Sequence, residues 1–164
     1  MACRGVHFAL TKDQRSQLLA LVESQGDVIA FIQDDIEEQW DTDWLCETDK
    51  AWDAIHRCLT DGTLSDDNST PFHWCVLNGA QMYAGDDYIV SFVDAPNVKQ
   101  VADAIATITE SEFRTRYHAI DDSDYGMPLS GEDLEYTLSY FTSLRDLFAR
   151  AATANRSVLF SVDQ

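Results

Sequence analysis

Near the C-terminus of this 164-residue chain, Leu134, Leu138, Phe141, Leu144, Phe148 and Ala151 recur at helical spacing, and "SVLFSV" (Ser157–Val162) follows. Apolar residues at intervals of three and four line one side of a 3.6-residue repeat, so the first run reads as a long helix with one buried face. Ser130 in "SGED" stands where an N-cap belongs. The short apolar run after it reads as a strand. A helix seam feeding a strand has to be buried against other elements, and this limits the chain to folds that pack helices on a sheet.

The partners of that seam are legible upstream. "GVHFAL" (Gly5–Leu10) sets Val6, Phe8 and Leu10 against His7 and Ala9, a first strand. Thr11 then caps a helix whose stripe is Leu18, Leu21 and Val22, ending near Gly26. Asp27 caps a second helix in which Ile29, Ile32, Ile36 and Trp40 share a face, with Asp34, Asp35, Glu37 and Glu38 largely on the other side. Thr48 or Asp49 caps a third, "DKAWDAIHRCL", expected to stop at Gly62. "SDDNSTP" is a loop, and residues 72–85 are open between a strand and a short buried helix. "YIVSFV" (Tyr88–Val93) reads as a strand buried on both faces. Pro96 opens a helix with Val98, Val101, Ile105 and Ile108 on one side, and the capping box "TESE" starts another carrying Phe113 and Tyr117. "DDSDYGMP" (Asp121–Pro128) is a loop. About six helices and three or four strands, with β elements near both termini, predict a single α+β domain over residues 1–164. The two terminal strands are candidate neighbours in one small sheet.

Three of these stretches carry a family likeness: "DKAWDAIHRCL" with the following Gly62, "VKQVADAIATITESEFRTRY", and "EDLEYTLSYFTSLRDLFARAA" running into the last strand. In their order and wording the chain resembles the YfbM-like bacterial proteins, a domain-of-unknown-function family (DUF1877). The likeness spans nearly the whole chain, is most distinctive at Lys50-Ala51-Trp52 with Ile55 and His56, and is weakest between Leu64 and Asp94. It implies a single-domain α+β fold and supplies no activity, cofactor or catalytic residue.

Charge bounds the partners. Twenty-nine acidic residues against eleven basic ones give a formal net charge of −18. Such a surface repels nucleic acid and anionic membrane. Three readings of the acidity remain: solubility alone, neutralisation of a basic protein such as a nuclease or toxin, or a high-salt cytoplasm. No apolar run reaches the roughly 18 residues of a membrane span, and the N-terminus lacks the apolar core of a secretory signal. Cys3, Cys46, Cys58 and Cys75 show no C-x-x-C spacing and read as reduced, mostly buried side chains in a cytoplasmic protein.

Chemistry is sparse. His56 with Cys58 and His73 with Cys75 make two H-x-C pairs, which invites a zinc reading. On a helix, however, residues i and i+2 point about 200° apart, so the first pair does not converge. His56 is expected at the edge of the core, bonded to a loop carbonyl or carboxylate. Trp52 is expected to dock its helix, with Asp53 and Arg57 paired on the exposed side. No nucleophile elbow, phosphate-binding glycine loop, H-E-x-x-H or calcium loop is present, and neither metal nor cofactor is expected. Two arrangements of the tryptophans stay open. Trp40, Trp44, Trp52 and Trp74 wall a cleft with His56, His73 and Tyr125, or they plug the joins between helices. The leading expectation is a non-enzymatic acidic protein-binding module, with Asp34, Asp35, Glu37 and Glu38 as the face for a basic protein. The alternative is a small-ligand receptor or enzyme using the Trp52/His56/Trp74 region.

Overall fold

Thr11 both ends a strand and starts a helix. In the computed structural model, which describes residues 3–164, β1 (Gly5–Leu10) runs into α1 (Lys12–Glu23). Thr11 Oγ1 accepts from the Gln14 amide at 3.1 Å and the Gln14 side chain accepts from the Thr11 amide at 2.9 Å, a reciprocal capping box. Asp27 caps the short α2 (Val28–Phe31), which passes into a π-helical segment, Ile32–Glu37. Then come β2 (Leu45–Asp49), α3 (Ala51–Leu59), α4 (Pro71–Trp74), β3 (Ala80–Gln81) and β4 (Tyr88–Val93). The last third holds α5 (Ala95–Ala106), α6 (Glu110–His118), α7 (Asp122–Tyr125), α8 (Gly131–Thr153) and β5 (Ser157–Asp163).

The strands form one antiparallel sheet in the order β2-β1-β5-β4-β3. The first and last strands are central neighbours, with His7 opposite Phe160 and Phe8 opposite Leu159. Because side chains alternate across a strand, the sheet has two apolar faces. Phe8, Leu10, Val90, Phe92 and Leu159 pack with Leu18, Val28, Phe31, Ile32 and Ile36 on one side. Ala9, Val93, Val158, Phe160 and Val162 pack with α3, α5, α6 and α8 on the other. The fold is α+β, as the pattern predicts, with the sheet enclosed between helices.

Several local expectations need correction. The sheet has five strands, one more than the upper expectation, because "LCETD" is an edge strand with only two apolar residues. Its Thr48, fully buried, donates its hydroxyl to the Gly5 carbonyl oxygen. Thr48 and Asp49 therefore belong to β2, and α3 begins after Lys50 with no side-chain cap. Residues 72–85 divide into a single helical turn and a two-residue strand. Gly79 joins them where a Cβ would lie 2.5 Å from the Phe92 carbonyl oxygen, so only glycine lets the chain pass this close to β4. The "DDSDYGMP" loop contains α7, capped by Asp121 and ended by Gly126 at φ 72°. Trp40 leaves the face it was expected to share with Ile32 and Ile36. The π segment changes the helical phase, and Trp40 sits beyond it with φ 39°.

Candidate functional site

The apolar side of α3 is fully engaged. Trp52 packs on Phe160, with ring centroids 6.0 Å apart, and its indole N–H donates to the Cys3 carbonyl oxygen at 3.1 Å. One turn on, His56 has no solvent exposure, and neither ring nitrogen has a hydrogen-bond partner. This corrects the expected bond to a loop carbonyl or carboxylate. Its neighbour is His73, 6.5 Å away between centroids, whose Nδ1 meets Thr70 Oγ1 at 2.8 Å and whose Nε2 lies 3.5 Å from Asp67. Burial drives the His56 pKa down to about 4, and the nearby His73 and Arg57 push the same way.

His7 repeats the pattern from the sheet. It is fully buried beside Phe148 and Phe160. Its Nε2 is 3.0 Å from the Cys75 carbonyl oxygen, which can only accept, so that nitrogen carries the proton. Burial lowers its pKa to about 3, the Cys75 contact opposing only in part. Burial also lifts the Cys46 and Cys58 thiols to about 12 and raises Cys75 further, which makes them poor nucleophiles near neutral pH. Among the described residues the cysteines are free thiols, and no group of three or more His, Cys, Asp or Glu is arranged to hold a metal ion.

Arg57 was expected on the exposed side of α3 and is instead buried under α7. Its Nε donates to Asp53 at 2.6 Å, Nη1 donates to the Asp124 carboxylate and to the Gly62 carbonyl oxygen, and its guanidinium lies 5.8 Å from the Tyr125 ring centroid. Asp53 still has a raised pKa, because its own burial outweighs the attraction of Arg57.

The tryptophans line separate places. Trp44 lies under the Arg156 guanidinium, 3.6 Å from its ring centroid, while its carbonyl oxygen accepts from the Ala9 amide. Trp52 lines a groove of about 510 Å³ with Leu64, Leu77 and Ile89. Trp74, its indole N–H on the Asn68 carbonyl oxygen, lines a second groove of about 500 Å³ with Leu19 and Phe92. The two grooves adjoin at Asn68, Asn78 and Gly79. Tyr125 borders a different cavity, with Asp133 and Tyr136.

Trp40 has a setting of its own. It is 40% exposed, with one edge against Phe8 at 6.3 Å between centroids. Asp34, Asp35, Glu38, Asp41 and Asp43 around it in sequence are exposed, and Glu37 is half-buried with a raised pKa, from burial first and Asp163 second. Among the described residues none of these six pairs with lysine or arginine. Five arginines pair with carboxylates elsewhere: Arg4 with Asp49, Arg15 with Asp94, Arg57 with Asp53 and Asp124, Arg114 with Glu110 and Glu135, and Arg116 with Glu112. Sequence reasoning found the acidic run and missed the exposure of Trp40, since the ring lies past the end of the π segment, on left-handed backbone that breaks the helical spacing.

With fold and geometry in place, comparison with known proteins sets the chain in a family. The model for the domain of unknown function DUF1877 matches residues 1–161. The chain belongs to the DUF1877 family. Among solved structures, the crystal structure of YfbM from Escherichia coli, itself a protein of unknown function, is similar with a TM-score of 0.70. That likeness covers 97% of this chain and 99% of that one at 17% sequence identity, and at such identity it shows the fold alone. No curated protein matches. Among the described residues of this DUF1877 member, no helix is long and apolar enough to cross a membrane.

Proposed function

We propose that this DUF1877 domain is a non-enzymatic binding module that docks a basic protein through the acidic turn around Trp40. The observation that carries the reading is an exposed tryptophan, held at φ 39°, in a run of acidic residues that among the described residues pair with no lysine or arginine. Exposed tryptophans are over-represented among the side chains that dominate protein interfaces. An exposed indole in an acidic stretch of chain suits a lysine or arginine side chain, which gains from the ring face and from negative charge. The net charge of −18 would speed encounter with such a partner and make the rate fall as salt rises. Neutralisation of a basic toxin or nuclease, in the manner of an immunity protein, is one concrete form of this role.

The test is capture from a lysate of the source cells on immobilised wild-type protein and, in parallel, on an Asp34→Lys, Asp35→Lys, Glu38→Lys variant. A basic protein held by the wild type at low salt, released at moderate salt and absent from the variant supports the reading. Equal retention by both baits refutes it, as does no specific retention.

The adjoining grooves bounded by Trp52 and Trp74 favour a second reading, a receptor for a small ligand. There, a ligand would change the fluorescence of those two indoles and leave Trp40 untouched. An acid–base role for His56 has no support in its placement, because the ring has no solvent exposure.

A further inference from the structure

A different cavity lies at the end of β2 away from Trp40. It encloses about 390 Å³ between Lys50, the loop after α7 and the first turns of α8. Tyr125, Met127, Pro128 and Tyr136 supply its apolar wall, and Glu132 and Asp133 supply carboxylates. Met127 is 47% exposed, among the most exposed large apolar side chains of the protein. It follows Gly126, whose left-handed backbone ends α7, and precedes Pro128, so its place at the rim is set by the chain.

Asp133 is held from several sides. Its Oδ2 accepts from the Tyr117 hydroxyl at 2.5 Å and the Tyr125 hydroxyl at 3.2 Å, and its backbone amide is capped by Ser130 Oγ. Both phenols have raised pKa values, through burial first and then Asp133, by its hydrogen bond for Tyr117 and by its charge for Tyr125, and so remain neutral donors. Oδ2 is thus occupied, and Oδ1 keeps its acceptor capacity. Tyr136 is fixed similarly, its hydroxyl donating to Asp49 at 2.9 Å. Glu132 and Asp133 line the cavity together with the ammonium of Lys50, while Asp49, behind Tyr136, lies 3.6 Å from the Arg4 guanidinium. Away from the cavity lining, the Arg57 guanidinium lies 5.8 Å from the Tyr125 ring centroid, a distance at which a cation and an aromatic face attract.

We propose that this cavity binds an organic cation with a short apolar stem, an alkylamine or alkylguanidine, either free or as the tip of a lysine or arginine side chain. The stem lies on Met127, Pro128 and Tyr136, and the charged head meets Asp133 Oδ1 with Glu132 alongside. This site is independent of the contact proposed around Trp40 and stands or falls separately.

The experiment follows the methyl resonances of protein labelled at methionine with carbon-13, during titration with n-butylguanidinium chloride, n-butylammonium chloride and neutral n-butanol at matched ionic strength. The expected result is a saturable shift of the Met127 methyl with both cations, an unmoved Met82 methyl, and n-butanol weaker by about tenfold. Asp133→Asn should weaken the cations by a similar factor. Because that substitution touches the Tyr117 and Tyr125 bonds, Met127→Lys is the second variant, and it should abolish the cation-induced shift of the Tyr136 ring while leaving the fold intact. N-acetyl-arginine amide binding as well as butylguanidinium identifies a side-chain tip as the ligand, and binding of the free cations alone identifies a small amine. Equal shifts with n-butanol, no saturable shift, or unchanged cation binding in Met127→Lys overturns the proposal.

Discussion

Acid should unfold this protein through two buried histidines. His7 and His56 have pKa values lowered to about 3 and about 4 by burial, against 6.5 in an unfolded chain. A folded-state pKa below the unfolded one means that the unfolded chain takes up the proton first. The stability is then fully present above pH 6.5 and is lost as pH falls from there toward the folded values. Between about pH 7.5 and about pH 5, each histidine costs about 2 kcal/mol by linkage, or about 4 kcal/mol together. The assay is urea unfolding across that range, for the wild type and for His7→Phe and His56→Leu. Carboxylate titration and the relief of net negative charge affect wild type and variant alike and cancel in the difference. The acid-induced destabilisation of each variant should therefore be about 2 kcal/mol smaller than that of the wild type, half of the histidine contribution. At neutral pH, His56→Leu should be neutral or stabilising, since it replaces two unpartnered buried nitrogens with apolar volume. A pH slope in His56→Leu equal to that of the wild type would refute the reasoning, and so would a loss of several kcal/mol at pH 7.5.

Two further perturbations probe the frame that holds the candidate surfaces. Trp52→Ala should cost about 3–5 kcal/mol in denaturant unfolding, because it removes a nearly buried indole packed on Phe160 and its bond to the Cys3 carbonyl oxygen. Gly79→Ala should cost about 1–3 kcal/mol, since the new methyl meets backbone at Phe92. The accompanying loss of β3 should appear as faster hydrogen exchange at the Met82 amide, which is bonded to the Val90 carbonyl oxygen at 2.9 Å.

Most of the frame is legible in the sequence because its strong patterns coincide with strong burial. "GVHFAL", "YIVSFV" and "SVLFSV" are strands at the positions read, and the seam from Leu134 to Ala151 lies on α8. The pairing of the terminal strands also appears. What escaped is set by tertiary context. β2 has a polar, edge-strand composition, so its only signal was the alternation of Cys46 and Thr48 with Glu47. Arg57 reads as a surface residue by its i, i+4 spacing from Asp53, and becomes buried only because α7, 67 residues away in sequence at Asp124, closes over it. At Asp133, Tyr117 from the core and Tyr125 and Tyr136 from the cavity wall meet from three helices, and no local spacing announces such a meeting. His56 was identified as a residue of interest, yet its lack of hydrogen-bond partners depends on what surrounds it in space.

The most direct measurement of the central claim uses protein labelled with 5-fluorotryptophan, in which the four tryptophans give four fluorine resonances. The spectrum is recorded while the basic protein fraction of a source-cell lysate is added, first at low and then at moderate salt. The account predicts that the Trp40 resonance shifts or broadens at low salt and recovers as salt rises, with those of Trp44, Trp52 and Trp74 in place. A Trp40 line that stays fixed throughout, whether or not the Trp52 and Trp74 lines move, contradicts it.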